Sequence, residues 1–494
     1  MNPEKRMKRQ RLQEMLSTAS FADKLSEIYG EDQGLKFELS RRLKSQLDSF
    51  SRRFQAENVY LVRAPGRVNL IGEHTDYNGY PVMPMALNRD ILIVAAATDE
   101  PVVRLGNTNP AFPDREFSIE SEILPFGMGN WGNYVKAAVQ GLLSLVLQQG
   151  RKVKGFSAIY DGNIPGAAGL SSSSGMVVAS ALAFLRANRM HIHKLELAEI
   201  LARAEHFVGT QGGGMDQAIS LLAEKDAVLK IDFFPLRVQA HPLHPDYRIV
   251  VCNSLIRAPK TESAMQEYNR RPMECRLATA LIADAIGVPL EQAKRMADLE
   301  RFPEYKHRQK ELLAQVLSPP VMTLAQISGK LHLSEAECRE KFLKLKSGRY
   351  FSPSADGFKP ARRFTHVIEE AQRVELATAA LSAGNMERFG ELMNASHQSC
   401  RDLYEISTPE MDKLVEIARE NGAIGARLTG AGFGGCTVNL IAKEKIGSFV
   451  RGVRQDYYET YLSQTHSQIN WRALPAESLL FPTSPVKGAD VILE

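Results

Sequence analysis

The chain has little that would suit it to a membrane, a nucleic acid or an oxidising compartment. Its five cysteines are odd in number, and none is arranged as CxxC or with histidines at metal spacing, which argues against a disulfide framework or a zinc site. The net charge is only +4, from 61 basic and 57 acidic residues, with no basic stripe interleaved with aromatics. The longest purely apolar run, 91–97, is far shorter than the roughly 20 residues that span a bilayer, and no signal-peptide core follows the start. We expect a cytoplasmic protein with reduced thiols and neither nucleic-acid nor membrane partners.

Length and composition predict a folded protein of two lobes. The composition, 44% hydrophobic and 24% charged, is typical of a soluble enzyme. The length of 494 residues is too great for one usual domain. Residues 1–54 are charged and predict a helical N-terminal extension, with one apolar face formed by Leu39, Leu43, Leu47, Phe50 and Phe54. We expect the first lobe over 55–245 and the second over 246–494, with an inserted helical region at about 291–360.

Short extended runs and long apolar helices alternate after Val59. The runs VYLVRAP, DILIVAAAT and GFSAIYDG predict strands, and the segments from Met176 and Leu195 predict helices. The segment HPLHPDY, near 240–250, marks a junction before a new extended run. This order predicts a mixed sheet covered by helices in the first lobe.

A glycine- and serine-rich segment, PGAAGLSSSSG from Pro165 to Gly175, opens the helix that contains Met176. Glycines let the backbone approach an anion, the helix start points free N–H groups at it, and serine hydroxyls can donate to phosphate or bind Mg²⁺. The segment is not a Walker A loop, because no lysine follows the glycines in the order GK[ST]. It indicates a phosphate cradle, with a serine-rich turn that caps a helix as the alternative.

Two other glycine clusters differ in their neighbours. LTGAGFGGC, from Leu428 to Cys436, carries no charge and predicts a turn that supports a pocket. QGGGMDQAIS, from Gln211, places Asp216 after three glycines at the expected start of a helix, where aspartate is commonly an N-cap. Its position alone leaves both a catalytic role and a capping role open for Asp216.

The segment RAPGRVNLIGEHTDY, from Arg63 to Tyr77, concentrates four polar side chains in a stretch without helical or strand periodicity: Arg67, Glu73, His74 and Asp76. Such a density of polar groups beside glycines suits a polyhydroxylated ligand better than a core. The segment therefore predicts a binding site for a sugar-like molecule.

At these residues the sequence resembles the GHMP small-molecule kinases. GRVNLIGEHTDYN is similar to the galactokinase signature, GLSSSS to the family's phosphate loop and LTGAGFGGC to its third motif, in the family's order. The resemblance runs from about Val59 to the C-terminus. It implies an α+β fold of two lobes, an N-terminal mixed-sheet lobe and a C-terminal ferredoxin-like lobe, with the active site between them. It also implies a monomeric kinase that uses ATP and Mg²⁺ to phosphorylate the anomeric hydroxyl of galactose.

The resemblance assigns roles by position. Asp216 corresponds to the catalytic aspartate, and Arg67 to the arginine that keeps this carboxylate ionised. Sugar-contacting positions correspond to Arg67, Glu73, His74, Asp76, Gly213, Asp216 and Tyr268. Nucleotide-binding positions correspond to Gly169, Leu170, Ser171, Ser172, Ser173, Ser174 and Trp131. Ser173 and Glu205 correspond to the Mg²⁺ ligands, although Glu205 is one residue closer to Asp216 than in typical galactokinases.

Three alternatives accompany this assignment. GGGMDQ, MECRLA and the inserted helices resemble N-acetylgalactosamine kinase, whereas Thr75, Asn78 and Tyr268 resemble galactokinases. The latter residues lie in or near the sugar-binding segments, so galactose is the expected substrate. Some galactokinase relatives are non-catalytic sugar sensors with a shortened serine loop, but here the loop is complete. A mevalonate-type kinase is disfavoured by the GEHTDY segment.

Overall fold

The structure of the protein is a computed structural model, and it describes residues 14, 16–54, 56, 58–166, 168–209, 212–256, 262–344, 350–351 and 357–493. Of residues 262–266 and 268 it describes the backbone only. The strands are β1 (Tyr60–Asn69), β2 (Pro84–Ala97), β3 (Val102–Asn107), β4 (Arg115–Ser118), β5 (Phe156–Gly162), β6 (Ala227–Asp232), β7 (Arg237–Pro242), β8 (Tyr247–Asn253), β9 (Gly425–Leu428), β10 (Cys436–Ala442), β11 (Leu480–Thr483) and β12 (Asp490–Leu493).

The α-helices of seven or more residues in the same ranges are α1 (Ala19–Tyr29), α2 (Gln33–Arg53), α3 (Gly132–Gln148), α4 (Ser172–Ala187), α5 (Lys194–Ala204), α6 (Met215–Leu222), α7 (Glu262–Ala285), α8 (Pro303–Val316), α9 (Leu324–Lys330), α10 (Pro360–Ser382), α11 (Met386–Ser399), α12 (Pro409–Glu420) and α13 (Ile446–Val453). Among them, none has the length and apolar character that crossing a bilayer requires.

The first lobe is built on a mixed sheet, as predicted. Its strand order is β12-β1-β2-β5-β3-β4, in which β3 and β5 pair parallel and the other neighbours pair antiparallel. The extended runs predicted at VYLVRAP, DILIVAAAT and GFSAIYDG lie in β1, β2 and β5. Helices α3 to α6 contribute buried residues to the core beside this sheet, because each presents an apolar face to it.

The last strand of the chain belongs to the first sheet. Residues 246–494 were expected to form the second lobe, but β12 pairs with β1, with Val491 opposite Val62. This pairing gives the edge of β1 a hydrogen-bonding partner. We propose that the lobes divide near residue 245 and that the chain then returns to the first lobe through β12.

The N-terminal extension packs on the same sheet. The predicted apolar face of α2 is buried through Leu39, Leu43, Leu47 and Phe50, and Phe54 is half-buried. Arg42 anchors this helix, because its Nη1 lies 2.7 Å from Asp90 Oδ1 and its Nε lies 2.7 Å from Asp161 Oδ2. The extension is therefore joined to β2 through Asp90 and to β5 through Asp161.

The second lobe contains an antiparallel sheet in the order β11-β8-β10-β9. Helices α12 and α13 share a hydrophobic core with this sheet, in which Leu414 and Phe449 pack with Val250 and Ile441. The sheet and its helices form the ferredoxin-like layer. A separate core gathers residues of the inserted region, among them Tyr305, Leu312 and Ile327, with Leu277 of α7 and Phe364 of α10.

Candidate active site

An ion pair between a buried arginine and a partly exposed aspartate joins β1 to α6. Arg67, near the end of β1, donates from Nε to Asp216 Oδ1 at 2.7 Å and from Nη1 to Gly169 O at 2.5 Å. Its backbone N–H donates to Leu170 O at 3.2 Å. One buried arginine therefore holds the proposed catalytic carboxylate against the serine-rich loop.

Asp216 is the second residue of α6, and it does not cap this helix. The N-cap is Gly214, whose φ of 103° lies in the left-handed region. The carboxylate of Asp216 turns towards Arg67 and Ser171, and its side chain keeps 26% exposure. The capping interpretation is therefore wrong, and part of the carboxylate stays accessible from outside the protein.

The serine-rich loop leads into the N-terminus of α4. Ser171 is the N-cap and has a φ of 58°, but its hydroxyl makes no capping bond to the helix and donates to Asp216 instead. The hydroxyls of Ser172 and Ser173, which are half-buried in the first turn, make no hydrogen bond to other described residues. Uncapped N–H groups, hydroxyls and the positive end of the helix dipole form a site for an anion.

Glu205, at the end of α5, accepts from the hydroxyl of Ser174, whereas Ser173 was predicted to share a Mg²⁺ ion with it. The Ser174 hydroxyl lies 3.0 Å from Glu205 Oε2 and 3.1 Å from Oε1, and it lies 3.4 Å from Asp216 Oδ2. Ser171 and Ser174 are three residues apart and so share one side of the helix start, whereas Ser173 is rotated about 100° from Ser174. The role of Ser173 as a Mg²⁺ ligand stays a prediction.

The environment of Glu205 suits a divalent cation. Burial and the nearby negative charge of Asp216 raise the pKa of Glu205 to about 7, although Ser174 and the amide of Gln217 donate to it. Two carboxylates and serine hydroxyls lie together beside a helix N-terminus, and oxygen donors of this kind are those that Mg²⁺ prefers. A bound cation would offset the repulsion that now raises this pKa.

Asp76 meets the glycine segment that precedes α6. Its Oδ2 accepts from the Gly213 N–H at 3.1 Å. A Cβ at position 213 would lie 2.5 Å from this oxygen, so the close approach requires glycine. Burial and the charge of Asp216 raise the pKa of Asp76 to about 6. The structure thus brings together Asp76, Gly213 and Asp216, as the site assignment expects.

Glu73 contacts the third glycine motif and the strand that leads into it. Glu73 Oε2 accepts from Arg427 Nη2 at 2.9 Å and from the Gly430 N–H at 3.2 Å. Burial raises the pKa of Glu73 to about 7 in spite of Arg427 and Arg67. A Cβ at Gly430 would lie 2.5 Å from Gly169 O, so the uncharged motif packs directly on the phosphate loop.

His74 belongs to an aromatic cluster beside this carboxylate. Its Nδ1 lies 2.8 Å from the Tyr77 hydroxyl, and its ring stacks on Tyr404 with 4.9 Å between centroids. Burial and the proximity of His366 lower the pKa of His74 to about 3. The ring is therefore neutral at physiological pH and offers hydrogen bonds without adding a charge.

Two predicted site residues are not placed with the others. Trp131 is buried between Phe112 and Tyr160 and donates from Nε1 to Pro113 O at 2.9 Å. The side chain of Tyr268 lies outside the described residues. Their roles at the adenine and the sugar stay predictions.

Sequence reasoning missed two residues that hold the site. Gln217 donates to Glu205, and Arg427 holds Glu73. Arg427 is recognisable in the sequence as the one charged residue of the run GARL, which leads into the third glycine motif. In the structure this run is strand β9, and all four of its residues are buried. A buried charge in such a strand requires a partner.

Comparison with known proteins agrees with this geometry. The family model of the galactokinase galactose-binding signature matches residues 48–97, the model of the GHMP kinases N terminal domain matches 133–224, and the model of the GHMP kinases C terminal matches 377–459. A crystal structure of Lactococcus lactis galactokinase complexed with galactose matches with a TM-score of 0.66 and 28% identity, over 90% of this chain and 98% of that one. Fold and phosphate loop together define a small-molecule kinase of the GHMP class.

Relatives in sequence narrow this class. The galactokinase of Dictyostelium discoideum is 32% identical over 96% of this chain and 97% of its own length. The galactokinase of Chloroflexus aggregans is 34% identical over 83% of this chain and 90% of its own length. The chain belongs to the galactokinase family.

Proposed function

We propose that this protein transfers the γ-phosphoryl group of ATP to the anomeric hydroxyl of galactose and releases galactose 1-phosphate and ADP. The observation that supports this proposal best is the position of Asp216. Its partly exposed carboxylate lies between the buried Arg67 and the uncapped start of α4. It is next to the contact between Gly213 and Asp76, which belongs to the segment 63–77, called the sugar segment below.

In the proposed reaction, the phosphates of ATP bind at the N-terminus of α4 through backbone N–H groups and serine hydroxyls. Asp216 accepts the proton of the sugar's 1-hydroxyl or orients that hydroxyl. A bond forms between this oxygen and the γ-phosphorus, the bond from the γ-phosphorus to the bridging oxygen breaks, and ADP leaves with the electron pair. Arg67 compensates the charge of Asp216 and stabilises negative charge that develops near it.

Glu205 and the hydroxyls at the start of α4, Ser173 among them, would hold Mg²⁺. When bound, the cation supplies positive charge that neutralises the phosphate oxygens during transfer. The raised pKa of Glu205 supports this assignment, because it arises from burial and from the negative charge of Asp216, and a bound cation would oppose both effects by favouring the ionised carboxylate.

The preference for galactose over N-acetylgalactosamine is part of the proposal. Support comes from the galactokinase relatives and from the galactose-binding signature over 48–97. Asn78, a residue that resembles galactokinases, donates from its amide to His74 O at 2.9 Å and so helps to set the backbone of the segment 63–77. Glu274 of MECRLA is used structurally, since its carboxylate pairs with Arg270 at 3.0 Å and Arg363 at 2.6 Å.

Substrate comparison tests this proposal. We expect kcat/KM with ATP and Mg²⁺ to be about 10- to 200-fold higher for galactose than for N-acetylgalactosamine, since a misfit of ~1–3 kcal/mol is typical for added bulk. Glucose and mevalonate serve as further acceptors, and ADP release is the readout. Equal or better use of N-acetylgalactosamine would assign the chain to that activity, and binding of galactose and ATP without ADP release would make it a sensor.

We also propose a cytoplasmic monomer. The five cysteines are buried and unpaired, which suits a reducing compartment. Light scattering of the purified protein tests the oligomeric state, and cell fractionation tests the location.

A further inference from the structure

Helix α10 grips the backbone of the sugar segment just before His74. Glu370 Oε1 accepts from the Gly72 N–H at 2.8 Å and from the Glu73 N–H at 3.2 Å. His366, one turn earlier on the same helix face, contacts the Glu73 carbonyl oxygen through Nε2 at 3.0 Å. Both N–H groups and one carbonyl of this short segment are therefore bound by one helix.

The same face of α10 leaves little space for the segment to move. Val374, one turn after Glu370, packs so closely that a Cβ at Gly72 would lie 2.8 Å from its Cγ2. Gly72 has a φ of 90°, a conformation that favours glycine. The contacts at His366, Glu370 and Val374 follow at spacing four, so a straight helix presents all three to the segment.

Both polar groups of this face are held by partners of their own. The Ser396 hydroxyl donates to Glu370 Oε1, and Arg373 Nε lies 2.6 Å from Oε2. Burial opposes the charge, but Arg373 and other nearby cations lower the pKa of Glu370 to about 2. His366 Nδ1 lies 2.8 Å from the Ser399 hydroxyl. Because a carbonyl can only accept, Nε2 carries the imidazole proton and Nδ1 accepts from Ser399.

We propose that Glu370 is a positioning residue for sugar binding, which holds the Gly72–Glu73 peptide so that Glu73 and His74 face the sugar. The inference rests on the proposed function, because it takes the Glu73 and His74 positions as the sugar site. The hydrogen bonds of Glu370 go to the Gly72–Glu73 backbone, Ser396 and Arg373, and the phosphate loop lies two contacts further on, through Glu73 and Gly430. Its influence should therefore fall mainly on the sugar.

Four variants separate a positioning role of Glu370 from an effect on stability alone. Glu370→Ala removes both the acceptor and the charge, whereas Glu370→Gln keeps an oxygen that can accept from the two N–H groups but loses the ion pair with Arg373. Glu369→Gln is the matched control, because it removes the charge of the neighbouring carboxylate on the same helix. Glu369 is half exposed, and its contact with Arg373 Nη1, at 3.4 Å, is longer than that of Glu370 with Arg373 Nε. Ser396→Ala, which loosens the carboxylate without removing it, replaces the alanine variant if that protein does not fold.

The expected result is a split between the two substrates. Glu370→Ala should raise the KM for galactose by roughly 10- to 100-fold, the range for losing hydrogen bonds to a charged group, and leave the KM for ATP within about threefold. Glu370→Gln should lower the melting temperature but keep the galactose KM within about threefold of the wild type. Ser396→Ala should shift the galactose KM in the same direction by a smaller factor, and Glu369→Gln should leave it unchanged.

Hydrogen exchange at the Gly72 and Glu73 amides adds a readout that needs no substrate. These amides should exchange faster in Glu370→Ala or Ser396→Ala than in Glu370→Gln and in the control. If no sugar is phosphorylated but the exchange rates follow this order, the proposed function fails and the grip on the segment stands. The inference is overturned if the KM values for galactose and ATP change in parallel, if the glutamine variant is impaired in galactose KM as much as the alanine variant, or if exchange at these amides is unchanged.

Discussion

Replacing Asp216 with asparagine separates the chemistry of its carboxylate from the structure around it. The asparagine keeps the shape of the side chain, and its carbonyl oxygen can still accept from Arg67 Nε, which now lies 2.7 Å from Oδ1. Arg67 also keeps its bond to Gly169 O and the nearby charges of Glu73 and Asp76. We therefore expect Asp216→Asn to fold and to bind ATP nearly as the wild type does.

The loss should appear in the chemical step. A positioned acid or base contributes about 10²- to 10⁴-fold to a rate, which equals about 2.7–5.4 kcal/mol of barrier. Rapid-quench measurement of galactose 1-phosphate formation in a single turnover isolates this step from product release. We expect the rate to fall by about 100-fold or more, with the KM for ATP and for galactose within about threefold.

Asp226→Asn is the matched control for this experiment. Asp226 lies in the same lobe, its side chain is 72% exposed, and its φ of 62° is one that asparagine tolerates. The control should behave as the wild type. A single-turnover rate for Asp216→Asn within a few-fold of the control would remove Asp216 from the reaction, and the reasoning from its position between Arg67 and α4 would be refuted.

Two further predictions concern the metal site. Ser173→Ala should raise the KM for Mg²⁺-ATP by roughly tenfold while the KM for galactose stays within about threefold, and equal damage to both KM values would mean that the phosphate loop is misplaced. Glu205 has its folded pKa raised to about 7 from 4.5 by burial and Asp216, so its contribution to stability is present at low pH and is lost as the pH rises through about 7. The melting temperature without Mg²⁺ should therefore fall as the pH rises from about 4.5 to about 7 and level off above that. The KM for Mg²⁺-ATP should fall as the pH rises through about 7, because the ligand ionises. Glu205→Gln should lessen the fall in melting temperature, to which Glu73 and Asp76 also contribute because their pKa values are raised too, and it should flatten the trend in KM. A KM that is independent of pH between about 6 and 8 would exclude Glu205 as a ligand.

The local motifs of this protein are legible in its sequence because their chemistry is local. Glycines before a helix, a run of serines and an aspartate after three glycines depend on backbone freedom and side-chain type within a few residues. The serine-rich loop, Asp216 and the polar segment around Glu73 therefore emerged from residue patterns together with a family resemblance. The apolar face of α2 was predicted for the same reason, since a period of 3.6 residues decides which side chains face the body.

The partners of these groups depended on tertiary structure. Which serine meets Glu205 is set by the rotation of α4 about its axis, and a shift of one residue turns a side chain by about 100°. Glu73 and Arg427 are 354 positions apart in the sequence, and Gly72 and Glu370 are 298 positions apart. The pairing of β12 with β1 likewise joins segments that are far apart in the sequence. No periodicity within a segment encodes such pairs, because their residues are far apart in the sequence and meet only in the packed tertiary structure.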